Sequence, residues 1–201
     1  MQVKTIAVIG AGTLGRGIAS AAALGGYRTI LEDASSPARE QGMTWIQQSL
    51  DEGVACGKTT PQQRDIARAQ LSTARSVEEV CREADLVIEA VPEEMEIKIE
   101  IFTILDKFAK PGAIFASTTS SLSITEMAAI TFCPDKCVGM RFLDRVPESK
   151  LLEIVRAPET SGDTVETCRE VGRRMGKEVV VVRESLGLIA AASSPAKKSA
   201  D

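Results

Sequence analysis

Apolar and polar positions divide most of the chain into short strand-like runs and longer amphipathic segments. Most of the runs are continuously apolar and rich in β-branched residues, which is typical of parallel strands buried on both faces. These predicted strands cover residues 3–9, 27–31, 71–74, 84–91, 113–117, 138–143, 151–155 and 178–182. The predicted helices cover residues 16–24, 39–52, 61–69, 94–110 and 164–175. This alternation predicts an α/β fold with a doubly wound, mostly parallel sheet.

Two of the helical segments, 39–52 and 61–69, follow the second strand with no strand between them. Ser36-Pro37 and Thr60-Pro61 are typical helix starts, because a hydroxyl can cap a helix and proline fits its first turn. Ser36 is therefore the predicted cap of the first segment. The pair is predicted to form a helical hairpin inserted after the second strand.

A glycine-rich turn, Gly10-Ala11-Gly12-Thr13-Leu14-Gly15, directly follows the first strand. Gly10 permits a tight turn, Gly12 lets the backbone approach a pyrophosphate, and Gly15 lets the helix pack closely on the strand. The N-terminus of the helix then offers unpaired N–H groups and a positive dipole end to phosphates. The order of strand, turn and helix is the one that a dinucleotide cofactor requires.

Asp33 ends the second strand and follows Gly12 by 21 residues. A carboxylate roughly 20 residues beyond the turn is placed to bind the adenosine ribose 2′-hydroxyl. It would repel a 2′-phosphate, so the pattern favours NAD over NADP. These features predict a Rossmann-like dinucleotide-binding fold, against the alternative of an ordinary βαβ turn without a ligand. The predicted cofactor-binding residues of this region are Gly10, Gly12, Thr13, Leu14, Gly15 and Asp33.

The composition and charge of the chain argue against several classes of function. The chain has 201 residues, of which 44% are apolar and 26% charged, and a net charge of −4, as in globular domains. Acids and bases are interspersed, which argues against nucleic-acid and membrane partners. The five cysteines and the absence of histidine give no pattern for a metal site and favour a reducing, cytoplasmic compartment. Without histidine, any general base must be a carboxylate, lysine, tyrosine or cysteine.

Five ordered motifs carry further information. They are residues 8–19 (VIGAGTLGRGIA), 84–93 with Lys98 following, 116–122 (ASTTSSL), 139–147 (GMRFLDRVP) and 150–155 (KLLEIV). Together they resemble the L-3-hydroxyacyl-CoA dehydrogenase family over nearly the whole chain. The resemblance implies oxidation of 3-hydroxyacyl-CoA to 3-oxoacyl-CoA with NAD, in fatty acid metabolism. It also implies a second, all-helical domain that follows the cofactor domain, closes the substrate cleft and forms a dimer.

The resemblance assigns roles to individual residues. Asp33 binds the adenosine ribose, and Glu93 and Lys98 lie near the nicotinamide and the substrate. Ser120 stands at the position of the serine that binds the substrate hydroxyl. Glu153 stands at the position of the acidic partner of the catalytic histidine. The residues themselves leave alternatives open, since Ser120 can instead cap the following helix and Glu93 and Lys98 can be solvated residues at a helix start.

The chain departs from the family pattern at the reaction centre. Arg141 stands where the family has its catalytic histidine, Asp144 and Arg145 replace an asparagine and a proline, and Ala191 replaces a catalytic asparagine. Arginine cannot accept the hydroxyl proton, because it stays charged and has no acceptor atom. We therefore expect weak or absent conventional activity. Arg141 is expected either to pair with Glu153 as structural charge or to bind an anionic substrate.

Three functions stay open at this point. The first is an NAD-binding domain of this dehydrogenase family, with acyl-CoA or another small molecule as substrate. The others are a non-catalytic NAD-binding regulatory or structural module and a dehydrogenase for a different, anionic hydroxy substrate. Residues 1–192 are expected to form the cofactor domain and residues 193–201 a disordered tail. Because no helical domain follows, we expect uncovered apolar surface and self-association.

Overall fold

The computed structural model describes residues 2–143, 146 and 149–185. Its strands are β1 (Thr5–Ile9), β2 (Arg28–Glu32), β3 (Leu71–Ala74), β4 (Leu86–Glu89), β5 (Ile114–Ser117), β6 (Cys137–Phe142), β7 (Leu151–Arg156) and β8 (Glu178–Arg183). They form one sheet of order β3-β2-β1-β4-β5-β6-β7-β8. Only β6 and β7 pair antiparallel within this sheet. The structure confirms the predicted mostly parallel, Rossmann-like sheet.

The helices connect these strands. They are α1 (Thr13–Leu24), α2 (Ser36–Ala55), α3 (Pro61–Ala69), α4 (Val77–Cys81), α5 (Met95–Phe108), α6 (Ile124–Ala129) and α7 (Gly162–Arg174). The helices α2 and α3 form the predicted hairpin between β2 and β3. Ser35, and not Ser36, caps α2, since the Ser35 side chain accepts from the Ala38 N–H. No helix in the described part of the chain is long and apolar enough to cross a membrane.

The two faces of the sheet each bury a separate apolar cluster. Val8 faces the cluster that contains Ile18 of α1, whereas its neighbour Ile9 faces the cluster that contains Phe102 of α5. Successive strand side chains point to opposite faces, so a strand covered on both sides must be apolar throughout. This packing explains the continuous apolar runs and fixes the C-terminal ends of β1, β2 and β4 at one edge of the sheet.

Candidate functional site

The glycine turn after β1 has a conformation that requires glycine. Gly10 has a φ of +101°, and a Cβ at this residue would lie 2.6 Å from the carbonyl oxygen of Ala90. A Cβ at Gly15 would lie 1.8 Å from the carbonyl oxygen of Gly10. At Gly12, by contrast, a Cβ would meet no heavy atom of the described residues within 4 Å beyond its chain neighbours. The backbone at Gly12 therefore borders open space that a ligand can enter.

The N-terminus of α1 points its first backbone N–H groups toward that open space. Gly12 is the N-cap, and Thr13 and Leu14 begin the helix. Within the described chain, no side chain caps this helix and its first turn holds no acidic residue. Uncapped N–H groups and the positive end of the helix dipole favour an anion at this point.

Asp33 is fixed between the glycine turn and α2. Its Oδ2 accepts a hydrogen bond from the Ala11 N–H at 2.9 Å, and its Oδ1 accepts one from the Ser35 N–H at 2.9 Å. Arg39 donates from its guanidinium to the Asp33 carbonyl oxygen. Each carboxylate oxygen has further lone pairs, so Asp33 can also accept hydrogen bonds from a bound hydroxyl.

A cavity of about 620 Å³ opens beside the glycine turn. Its lining includes Gly10, Gly12, Thr13, Leu14 and Asp33, which the sequence predicts as cofactor-binding residues. Most of the remaining lining is apolar and includes Val77, Ala90, Val91, Pro92, Ile97 and Ile101. Gly15 lies behind the turn, where it lets α1 approach the strand. The cavity lies where the strand order reverses about β1, the usual place for a ligand in such sheets.

A buried ion pair lies next to this cavity. Lys98 Nζ is 2.7 Å from Glu89 Oε1, and both side chains are fully buried. The Ser117 hydroxyl donates to Glu89 Oε2 at 2.6 Å, and the Val91 N–H donates to Glu89 Oε1 at 2.7 Å. The interpretation of Lys98 as a solvated helix-start residue is wrong, because β4 and α5 enclose its ammonium group. Glu89 and Ser117 were not predicted as site residues from the sequence, although a single glutamate in an apolar strand indicates that its carboxylate has a buried partner.

Glu93 joins this pair to the loop that follows β5. Its Oε1 accepts from the hydroxyls of Thr119 at 2.6 Å, Ser120 at 3.2 Å and Ser121 at 3.0 Å. The Ser120 and Ser121 N–H groups also donate to it, and Lys98 Nζ lies 3.4 Å from its Oε2. Burial opposes ionisation, but these hydrogen bonds and Lys98 lower the pKa of Glu93 to about 2. Glu93 is therefore a fixed anion at neutral pH.

Ser120 does not cap the helix that follows. Ser123 is the N-cap of α6, and its side chain accepts from the Glu126 N–H. The capping interpretation of Ser120 is therefore wrong, and its hydroxyl instead contacts Glu93. The sequence did not point to Thr119 or Ser121, because their shared acceptor comes from a distant segment.

Arg141 and Glu153 face each other across the antiparallel pair β6–β7. Arg141 Nη1 lies 3.1 Å from Glu153 Oε2, and the two side chains are 27% and 23% exposed. The Nε–H of Arg141 also donates to the Thr119 carbonyl oxygen at 3.3 Å. The structure thus confirms the predicted ion pair and attaches it to the loop that carries Ser120. Asp144, Arg145 and Ala191 lie outside the described residues, as does the predicted tail at 193–201.

Residues 5–185 match the family model described as 3-hydroxyacyl-CoA dehydrogenase, NAD binding domain. The chain belongs to this family. It is 37% identical over 179 residues to 3-hydroxybutyryl-CoA dehydrogenase of Bradyrhizobium diazoefficiens, covering 89% of the chain and 61% of that protein. It is 36% identical over 193 residues to mitochondrial hydroxyacyl-coenzyme A dehydrogenase of Sus scrofa, covering 93% of the chain and 61% of that protein.

The solved structures agree with this assignment. The crystal structure of (S)-3-hydroxybutyryl-CoA dehydrogenase from Ralstonia eutropha superposes with a TM-score of 0.88 at 33% identity. The match covers 94% of this chain and 66% of the Ralstonia chain. The chain thus spans about two thirds or less of the length of these dehydrogenases.

NAD is the cofactor of this dehydrogenase domain, as the glycine turn and Asp33 predict. Different parts of the cleft suit different parts of NAD. Open space over Gly12 and the uncapped start of α1 suit an anionic pyrophosphate, the remaining lone pairs of Asp33 suit ribose hydroxyls, and the apolar wall suits an adenine ring. When bound, NAD would supply the acceptor for a hydride.

Proposed function

We propose that the chain binds NAD(H) in this cleft and has weak or no conventional 3-hydroxyacyl-CoA dehydrogenase activity. One observation supports the second part: Arg141, at the position of the family's catalytic histidine, has its guanidinium bonded to Glu153 and to Thr119. A guanidinium accepts no proton, so Arg141 cannot serve as the general base. Losing a positioned base lowers a rate by about 10²–10⁴-fold, which is about 3–5 kcal/mol of barrier.

We assign the remaining residues by position. The backbone at Gly10, Gly12, Thr13 and Leu14 would hold the pyrophosphate, with Gly15 supporting the turn. Asp33 would hold the adenosine ribose. Glu93 and Lys98 would fix the loop beside the nicotinamide, and the Ser120 hydroxyl would orient the oxygen of a substrate. The acyl-CoA thioesters named for the relatives are the proposed substrate class, since the chain shares their fold.

Two measurements on the full chain test this proposal. NADH fluorescence should report binding below millimolar concentration, and acetoacetyl-CoA should cause slow or no loss of NADH absorbance at 340 nm. Arg141→His, alone and with Ala191→Asn, should raise that rate. Absence of NADH binding up to millimolar concentration would refute the cofactor site, and brisk turnover by the unmodified chain would refute the assignment to Arg141.

A second candidate function rests on the partial exposure of Arg141. With 27% of its side chain exposed, the guanidinium can bind an anionic substrate group while it contacts Glu153. A dehydrogenase for a hydroxy acid would then show NAD reduction in a screen of such acids, and Arg141→Met would abolish it. If neither this screen nor the restored variants give turnover, a non-catalytic NAD-binding module is favoured.

Self-association is also proposed, on the evidence of β8. Its outer edge has no paired strand among the described residues, and Val180 and Val181 expose 42% and 40% of their surface. Open apolar edges favour strand pairing between copies. Light scattering after size exclusion would give the mass, and a monomer at high micromolar concentration would refute this proposal.

A further inference from the structure

Glu32 is a second carboxyl group at the adenosine end of the cofactor cleft. It is the last residue of β2, directly before Asp33, and it lines the same cavity. Its side chain is 3% exposed. The Glu32 carboxyl group makes no hydrogen bond or ion pair with the described residues, whereas each oxygen of Asp33 accepts a backbone N–H. A buried, unpartnered polar group facing a cavity indicates that a ligand completes its hydrogen bonding.

The surroundings of Glu32 favour its neutral form. Asp33 follows it directly after the end of β2, Glu78 and Cys81 of α4 lie near it, and Arg39 of α2 is a cation whose charge acts on it. Burial and the charge of Asp33 raise the pKa of Glu32 to about 7, with Glu78 adding to the shift and Arg39 opposing it. Near neutral pH, about half of the molecules therefore carry a proton on Glu32.

NAD would shift this balance further in the same direction. The adenosine moiety would remove the carboxyl group from the remaining solvent, and the anionic pyrophosphate beside Gly12 would repel a carboxylate. Both effects favour the protonated acid. A protonated acid can also donate a hydrogen bond, which a carboxylate cannot, and adenosine offers ring nitrogens and ribose oxygens as acceptors.

We propose that Glu32 is a cofactor-contacting residue that takes up a proton when NAD enters the cleft and donates it in a hydrogen bond to the adenosine. This inference deepens the proposed function and rests on NAD binding in the cleft. It goes beyond the glycine turn and Asp33, because it makes cofactor affinity depend on pH through one carboxyl group.

The size of the effect follows from proton linkage. If Glu32 titrates near pH 7 in the free protein and stays protonated in the complex, binding requires a form that is common at pH 6 and rare at pH 8. The fraction protonated falls by roughly tenfold between these two pH values. The dissociation constant for NAD should therefore rise by roughly tenfold, and about half a proton should be taken up per NAD at pH 7.

Isothermal titration of NAD into the full chain tests this proposal. Dissociation constants would be measured at pH 6, 7 and 8, and the pH 7 titration would be repeated in phosphate and Tris, whose ionisation enthalpies differ. Glu32→Gln keeps the shape of the side chain without titrating, so the variant should bind with the pH 6 affinity throughout and take up no proton. Glu79→Gln is the matched control, because Glu79 is an exposed carboxylate on the same helix as Glu78 and lies outside the cavity.

The outcomes separate the two levels of the proposal. Weaker binding at high pH and proton uptake that disappear in Glu32→Gln, but not in Glu79→Gln, support the inference. Proton release, affinity that is constant or rises with pH, or pH dependence that survives in Glu32→Gln would overturn it while leaving the cofactor site intact. Absence of NAD binding at pH 6 would instead overturn the proposed function, and this inference with it.

Discussion

Removing one partner of the buried pair Glu89–Lys98 should destabilise the domain strongly. Glu89→Gln leaves the Lys98 ammonium fully buried, with the Val91 carbonyl and Glu93 Oε2 each 3.4 Å away. Removing one partner of a buried ion pair typically costs about 3–5 kcal/mol, a large part of the roughly 5–15 kcal/mol that holds a domain folded. Lys98→Met should cost less, because Ser117 and Val91 still donate to Glu89.

The double variant E89Q/K98M shows how much of each single loss of free energy comes from breaking the ion pair rather than from removing other contacts. Its glutamine can still accept from the Val91 N–H with its oxygen and donate to the Ser117 hydroxyl with its NH2 group. No buried charge remains, so its loss should be smaller than the sum of the single losses by at least about 2 kcal/mol. Urea unfolding gives these free energies. Glu83→Gln is the surface control, because the Arg28–Glu83 pair is exposed and should contribute less than about 1 kcal/mol. Additive losses, or a loss from Glu89→Gln as small as the control, would refute this account of the pair.

Three further predictions concern the cleft. Gly12→Ala should change the melting temperature by less than about 2 °C, since its Cβ has open space. It should nevertheless weaken NADH binding by more than tenfold in a fluorescence titration, because the methyl group takes space that a pyrophosphate needs. Asp33→Ala should reduce the preference for NADH over NADPH by at least tenfold in the same titration, and an unchanged ratio would contradict the ribose assignment. Glu32→Gln should raise the free energy of unfolding at pH 8 by about 1–2 kcal/mol and leave it unchanged at pH 4. The reason is that an acid whose pKa is raised by folding destabilises the fold as the pH rises from its pKa in the unfolded chain through about 7. Urea unfolding at both pH values checks this prediction.

The local part of the cofactor site could be predicted from the sequence, because its geometry depends on neighbouring residues. Gly10 and Gly15 are required by a single turn and the helix that follows it, and the spacing to Asp33 is set by one helix and one strand. A helix after Ser120 was expected only as an alternative role for that serine, and the bounds of α6 could not be predicted, since its six residues are too few to show helical periodicity. The cap of α2 differed by one residue because two serines precede the same proline.

The contacts around Glu89, Glu93 and Lys98 could be predicted less well, because they join distant segments. Glu89 was predicted only as part of a buried strand, and its pairing with Lys98 depends on how α5 crosses β4. Five donors converge on Glu93 from residues 119–121, a contact that spacing along the chain cannot reveal. Nothing in the sequence distinguishes Glu32 from the neighbouring Asp33. Only the packed structure shows that the Asp33 carboxylate is hydrogen-bonded and that the Glu32 carboxyl group is not.

The contacts of Arg141 also limit what a single substitution can restore. Its guanidinium contacts Glu153 on one side and the Thr119 carbonyl on the other, and Thr119 in turn donates to Glu93. An imidazole at position 141 offers at most two N–H groups, so it cannot reproduce both contacts and also accept a proton from substrate. Arg141→His should therefore loosen the loop that carries Ser120 while it introduces a base. We expect its gain in acetoacetyl-CoA reduction to appear mainly in kcat, with a raised KM for the thioester, and a gain in kcat with KM unchanged would show that Arg141 does not position this loop.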